Sequence, residues 1–352
     1  MGQILKKWFD QYFGSEEAVF LGLLLSLSIV LLIALGDILG PLIAATIIAF
    51  LLQGIVNLLL KYGLKPLVAV LTTYLLFLLG FVSILVGLIP VVGSQTSLLI
   101  TELPNMVGQL KQLLTSLPEK FSAYIGPDQF QLILVRLSEE VANLAEQLLS
   151  FSLSNFQGVL GLLIYLVLVP LLVFFMLKDK DQLLSSVSRI LPQKRGAMKA
   201  IGEEMNTQLA NYVRGKAIEI VIVGTVSLVA FLILGVKYAA LLALLIGLSV
   251  LIPYIGATVV TIPVLLVGYF QWGFSNEFAW LVVIYIVIQV IDGNVLVPLL
   301  FSEVVNLHPV AIVVAVLFFG GIWGFWGFFF AIPLATLVKA IYNAWPRKVA
   351  DS

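Results

Sequence analysis

The residues best suited to chemistry lie in one stretch, Gln289 to Pro333, QVIDGNVLVPLLFSEVVNLHPVAIVVAVLFFGGIWGFWGFFFAIP. Asp292 stands in an apolar run, with Gln289 and Asn294 beside it. A carboxylate in a segment of hydrocarbon length is expensive, so it is expected to face a protein interior or a water-filled cavity. There it can bind and release a proton or Na⁺, or serve as a structural acid capped by Asn294 or by carbonyls freed near Pro298. Gln289 and Asn294 can hydrogen-bond a polar solute or, equally, a neighbouring helix. Pro298 and Pro309 interrupt helical sequence, and Gly320, Gly321, Gly324 and Gly327 break the next apolar segment among large aromatics. Broken helices at membrane depth are tolerated where they line a cavity or are buried in protein. These residues, with Pro253 and Gly256 upstream, are expected to act through backbone geometry; close helix packing alone accounts for Gly320 and Gly321. Trp323, Phe325, Trp326 and Phe328 to Phe330 form either a gate or packing.

Three further side chains are candidates for coupling. Glu219 follows Lys216 by one turn and reads as an interfacial ion pair or as a coupling site. Arg214 precedes both. His308, before Pro309, is a loop or cap residue, or a group that titrates near neutral pH. Other chemistries lack their residues. The chain has no cysteine and one histidine, which excludes disulfides, iron–sulfur clusters and thiolate metal sites. There is no GxxxxGK[ST] phosphate loop, and no HExxH or GxSxG near Asp292. No arginine ladder marks a voltage sensor. The chain is therefore not expected to be an enzyme, to need a cofactor or metal, or to bind nucleic acid. If transport is active, its expected energy source is an ion gradient, H⁺ or Na⁺; facilitated efflux down a solute gradient is the alternative.

The elements that must hold these residues are membrane helices. Of 352 residues, 61% are hydrophobic and 11% charged, against roughly 25% charged in a soluble domain. The mean hydropathy is +1.12. The apolar runs are too long and unbroken for alternating barrel strands. The start, with Lys6, Lys7, Trp8 and Phe9, reads as an interfacial helix. Spans follow at Ala18–Leu35, Leu42–Leu60 and Pro66–Ile89, separated by a break at Asp37, Gly40 and Pro41 and closed by Pro90. Gln53 and Asn57 lie one turn apart, where they bond a neighbour or line a path. Residues 91–150 are amphipathic helices carrying six acids against three bases. A fourth span covers Phe156–Leu177. The loop from Lys178 to Lys216 carries eight basic residues and reads as cytoplasmic. Counting back places both Lys61 and Lys65 inside and the acidic segment outside, with N- and C-termini cytoplasmic.

The last third repeats a pattern, a span followed by a broken segment, twice. Thr261-Ile-Pro-Val-Leu-Leu-Val and Ala331-Ile-Pro-Leu-Ala-Thr-Leu-Val follow the two breaks. If the broken segments are re-entrant hairpins, the two units are inverted, as in many secondary transporters. If both cross fully, the end of the chain still lies inside. The expected fold is thus all-α and polytopic, with about eight membrane segments, six of them full spans if the hairpins are re-entrant. The expected division is 1–90 (interfacial helix and three spans), 91–150 (extracytoplasmic helices), 151–216 (fourth span and basic loop), 217–345 (transport unit) and 346–352 (tail).

Asp292-Gly-Asn-Val-Leu-Val-Pro-Leu, Leu307-His-Pro-Val-Ala, Gly320-Gly with Gly324 and Gly327, and Ala331-Ile-Pro-Leu-Ala together resemble the autoinducer-2 exporter family. Leu251-Ile-Pro-Tyr-Ile-Gly and Tyr212-Val-Arg-Gly-Lys match as well. The resemblance is specific in the last third and diffuse before Phe156. It implies a transporter of the bacterial cytoplasmic membrane that exports a small polar metabolite such as autoinducer-2. Other members are assigned Na⁺(Li⁺)/H⁺ antiport or have no known substrate. A permease-like protein of structural or partner role is the third reading. The expected partners are membrane lipid, a small polar solute or monovalent cation, and a second copy of the chain, met through residues 91–150.

Overall fold

The structure, a computed structural model, describes residues 15–116, 136, 156–190, 196–301 and 307–345. The interfacial helix expected before Ser15, nearly all of the acidic segment beyond Ser116, and the tail lie outside them. Helices and turns make up the described residues, with no strand among them.

Helix α1 spans Glu16–Lys61, α2 Pro66–Ser83, α3 Ile89–Ser116, α4 Phe156–Lys178, α5 Lys180–Ile190 and α6 Gly196–Leu234. Then come α7 Ala239–Ser249, α8 Ile255–Trp272, α9 Asn276–Ile291, α10 Val297–Phe301, α11 Pro309–Phe329 and α12 Ala331–Ala344. Six of the described segments are long and apolar enough to cross a membrane. The chain is an all-α polytopic membrane protein.

Several expected breaks are not breaks. Helical structure runs through Asp37, Gly40 and Pro41 inside α1. Pro90 does not end the third span, because a π-helical turn, Ile84–Leu88, joins α2 to α3. Proline lacks an N–H, and its ring clashes with the carbonyl four residues back. The wider turn, in which the Ile89 N–H bonds the Ile84 carbonyl, relieves that clash. The device recurs at Asp292–Leu296, where the Val297 N–H bonds the Asp292 carbonyl just before Pro298. In both places the π turn ends two residues before the proline. Apart from a bend at Asp179, the basic stretch after Lys178 is also helical where it is described, and α6 runs unbroken from Gly196 to Leu234. The boundaries drawn at 90/91 and 216/217 therefore fall inside continuous helical runs.

Helix α6 is the axis on which both broken segments pack. Helices α7 and α8 form a hairpin. At its base the Gln271 side chain donates to the Gly235 carbonyl (2.7 Å) and accepts from the Lys237 N–H (2.7 Å). At its tip Gly256 lies against the Ser249 carbonyl. Helix α7 has 11 residues, about 16 Å at 1.5 Å per residue, half of a ~30 Å hydrocarbon core. It lies along the second half of α6, where Gly224 and Gly247 let the two backbones touch. Helices α11 and α12 form the second hairpin. Gly324, at φ 57°, turns the chain, and Gly327 packs back on Phe319 and Gly320. This hairpin lies along the first half of α6: Tyr212 donates to the Phe329 carbonyl (2.8 Å), and Ala340 packs with Ile201 and Met205. The two hairpins therefore point at each other, with bases at opposite ends of α6.

Helices α1, α2 and α4 form a separate core around Ala45, Ala49, Val70 and Val173. Gln53 donates to Asn57 (2.8 Å), so this pair satisfies itself within α1.

Candidate functional site

A cavity of about 450 Å³ lies where the tip of the first hairpin meets α6 and the second π turn. Tyr212, Lys216 and Glu219 come from α6, Val250, Pro253 and Tyr254 from the tip, and Gln289, Asp292 and Pro298 from α9 and beyond. Each charged member is buried: Lys216 is 5% exposed, Glu219 1% and Asp292 9%.

Helical spacing explains who faces whom. Lys216 and Glu219 are one turn apart and share a face. The Lys216 Nζ lies 2.7 Å from Glu219 Oε2, an ion pair whose angles miss those of a directed hydrogen bond. The same Nζ donates to the Val250 carbonyl at 2.7 Å and lies 5.1 Å above the Phe301 ring. The Val250 carbonyl caps α7, and a cation at a helix C-terminus is favourable. Lys216 thus pins the hairpin tip to α6. Asp292 shares a face with Gln289, three residues before it, and both enter the cavity. Its Oδ1 is buried without a hydrogen-bond partner among the described residues, and it shares the cavity with Lys216 and Glu219. With all three ionised, two carboxylates and one ammonium leave one negative charge unbalanced. Such a cavity favours a cation or a proton. Among the described residues no group of three His, Cys, Asp or Glu side chains is placed to hold a metal ion.

The other candidates divide. Asn294 does not join Asp292: residues two apart on a helix point to opposite sides. It is exposed, donates to the Val290 carbonyl (2.9 Å), and lines a second groove with Thr261, Tyr285 and Gln289. Pro253 and Pro298 line the charged cavity, and Gly256 sits under its tip. Gly320, Gly321, Gly324 and Gly327 do not line it; the second hairpin contributes Ile312 and Ile332 instead. A methyl group on Gly320 would strike the Phe328 ring, whereas Gly321 faces open space. Arg214 is exposed on another face, 5.3 Å from the Phe50 ring. His308 caps α11, its Nδ1 accepting from the Val310 N–H (3.3 Å). The aromatic cluster is packed ring on ring, with Trp323 and Trp326 stacked on Phe330.

The Lys216–Glu219 ion pair expected from the spacing is present and buried. It sits midway along the 39 residues of α6, under the hairpin tip. Lys216 and Tyr212, with Val250 and Tyr254 of the tip, are site residues that sequence reasoning did not select. The signal for Lys216 was present, an i, i+3 pair with an acid at the edge of an apolar run.

Comparison with known proteins agrees with this architecture. Residues 20–347 match the model of the AI-2E family transporters. The chain is 41% identical over 351 residues to the "Putative permease PerM" of Escherichia coli (strain K12), covering 98% of both chains. It is 29% identical to the "Putative transport protein YueF" of Bacillus subtilis (strain 168), over 86% of this chain and 82% of that one. The "Putative transport protein YrrI" of the same organism is 26% identical, over 86% and 84%. A family match over nearly the whole length, on a polytopic helical fold with two opposed hairpins, makes this chain a member of the AI-2E transporter family.

Proposed function

We propose that this protein is a secondary transporter that exports a small polar solute of the autoinducer-2 type, driven by a gradient of H⁺ or Na⁺ bound at Asp292. The carrying observation is the unbalanced cavity: Lys216 is committed to Glu219 and Val250, and Asp292 Oδ1 is buried without a partner. A cation or proton there neutralises the excess charge, so the hairpin tip can close over a cavity that no longer demands water. Without it the cavity stays charged and hydrated. The charge state thus decides how Pro253 and Tyr254 sit against α9, which is the link a coupled cycle needs. The same excess carboxylate supports the second reading, a monovalent cation/proton antiporter.

The inside orientation of Lys61, Lys65 and Lys178 belongs to this proposal. Tyr165 packs on Gly40 and Thr46 contacts Met176. The second half of α1 and α4 therefore run in one direction, which supports placing their basic ends on one side. Self-association through residues 91–150 belongs to it as well.

The test is a proteoliposome assay with a Na⁺ gradient, a pH gradient and autoinducer-2 applied in turn. Asp292→Asn keeps size and hydrogen bonding but removes the charge. The expected result is normal expression and insertion with coupled transport abolished. Cation-for-proton exchange without solute movement selects the antiporter. Unchanged transport and unchanged coupling in Asp292→Asn refute the proposal.

A further inference from the structure

The polar groups around Asn294 have no place in the charged cavity, and they are costly where they stand. A groove of about 350 Å³ runs between α8 and α9. Its polar side chains are Thr261, Tyr285, Gln289 and Asn294, and no charged residue lines it. These positions lie within segments long and apolar enough to cross the membrane, where an unsatisfied polar group facing lipid carries a large penalty. Their hydrogen-bonding capacity is only partly used. Thr261 Oγ1 donates to the Ala257 carbonyl (2.7 Å) and lies 2.9 Å from the Tyr285 hydroxyl, so both hydroxyls keep acceptor capacity. Asn294 donates to Val290 through Nδ2, and its side-chain carbonyl has no partner among the described residues. The Gln289 amide, a donor and an acceptor, has no hydrogen-bond partner among the described residues.

Backbone geometry brings these groups together. Tyr285 and Gln289 are one α-helical turn apart. Asn294 is five residues beyond Gln289, a spacing that a regular α-helix would rotate away. The π turn at Asp292–Leu296 adds a residue to the turn, and Asn294 lines the same groove as Gln289. The turn that relieves the clash at Pro298 thus also sorts the polar residues, sending Asp292 inward and Asn294 to the groove. Gln289 lines both spaces.

We propose that the α8–α9 groove is a binding site for a neutral, hydroxyl- or carbonyl-bearing small solute, separate from the charged cavity and joined to it at Gln289. The lining suits such a ligand: amide and hydroxyl groups for its polar atoms, Leu265, Val282 and Ile286 for its carbon frame. With no charge in the groove, a free ion gains nothing there that the neighbouring cavity does not offer more strongly. This assignment rests on the transport reading above, but its test does not require coupling.

The chain has no cysteine, so single cysteines report cleanly. Thr261→Cys, Asn294→Cys and Val287→Cys are reconstituted in proteoliposomes and exposed to a water-soluble methanethiosulfonate. Val287 is the control, 49% exposed on the same helix but absent from the groove lining. The expected result is that Thr261→Cys and Asn294→Cys react at least about tenfold faster than Val287→Cys, because thiolates form in water and not in lipid. Ribitol or autoinducer-2 should slow the reaction, and citrate, an anion, should not. Where transport of either probe is measurable, Gln289→Leu should raise KM about tenfold, the effect of losing one or two hydrogen bonds. Equal rates at all three positions, protection by neither neutral probe, or oxidative cross-linking of Asn294→Cys between two chains overturns the assignment. Failure of Asp292→Asn to alter coupling would remove the transport cycle proposed above while leaving these labelling outcomes to decide the groove.

Discussion

Replacing Lys216 by Met tests whether the buried ammonium holds the first hairpin. Met is close in length and fills the space beside Phe301 without a charge. The substitution removes the ion pair to Glu219 (2.7 Å), almost fully buried, and the hydrogen bond to the Val250 carbonyl (2.7 Å), partly buried. Breaking a buried ion pair by deleting one partner costs about 3–5 kcal/mol, because the other charge is left stranded. The lost bond to Val250 overlaps with that figure, since one ammonium makes both contacts and such terms are not additive. Glu219→Gln should cost less, because Lys216 keeps its bond to Val250 and faces Asp292 across the cavity. The double variant, Lys216→Met with Glu219→Gln, removes the charge stranded on Glu219, leaves Asp292 as the one charged group of the cavity, and should recover about half of the Lys216→Met loss, much of that loss being desolvation rather than contact energy. Thermal denaturation in detergent, followed by size-exclusion, reads the order: wild type, Glu219→Gln, double variant, Lys216→Met. A Lys216→Met protein as stable as wild type refutes the reasoning. So does a double variant whose loss equals the sum of the two single losses, since the pair would then carry no coupling.

Two further predictions follow from the same geometry. Cysteines placed singly at Lys65 and at Phe274, which is 89% exposed beside the base of the first hairpin, should be labelled by an impermeant reagent from opposite sides; labelling from one side removes the proposed orientation. Gly256→Ala sets a methyl group against the Ser249 carbonyl at the hairpin tip, whereas Gly321→Ala meets nothing within 4 Å. The first should destabilise by about 1–3 kcal/mol, as overpacking does, and the second should leave thermal stability unchanged or slightly raised.

Much of the architecture was legible in the sequence. Length and hydropathy demanded membrane helices, since nothing else satisfies the backbone in lipid except a closed barrel. The twice-repeated pattern of span and broken segment marked two interruptions, because proline and glycine interrupt helical bonding by their own covalent chemistry, but left re-entrant hairpins and full crossings both open. Asp292 stood out because an acid there is too costly to be placed without a partner or a cavity. The positions of other breaks were not legible. Pro41 and Pro90 carry the same local signal as the residues at the hairpin tips, yet helix continues through both. Whether a proline ends a helix or is absorbed in a π turn depends on what packs against it.

The site itself was decided by tertiary structure. Neighbourhood in sequence suggested that Asp292 and Asn294 act together, but helical rotation and the π turn send them to different spaces. Lys216 and Glu219 are local partners by spacing alone. What makes them functional candidates is the Val250 carbonyl, 34 residues away, and the arrival of Asp292 from a third helix. Composition determined that a charge would be buried, because the chain offers it little but hydrocarbon to stand in. Only the packing of two opposed hairpins on one helix determined which charges share a cavity, because that depends on contacts between segments far apart in the chain.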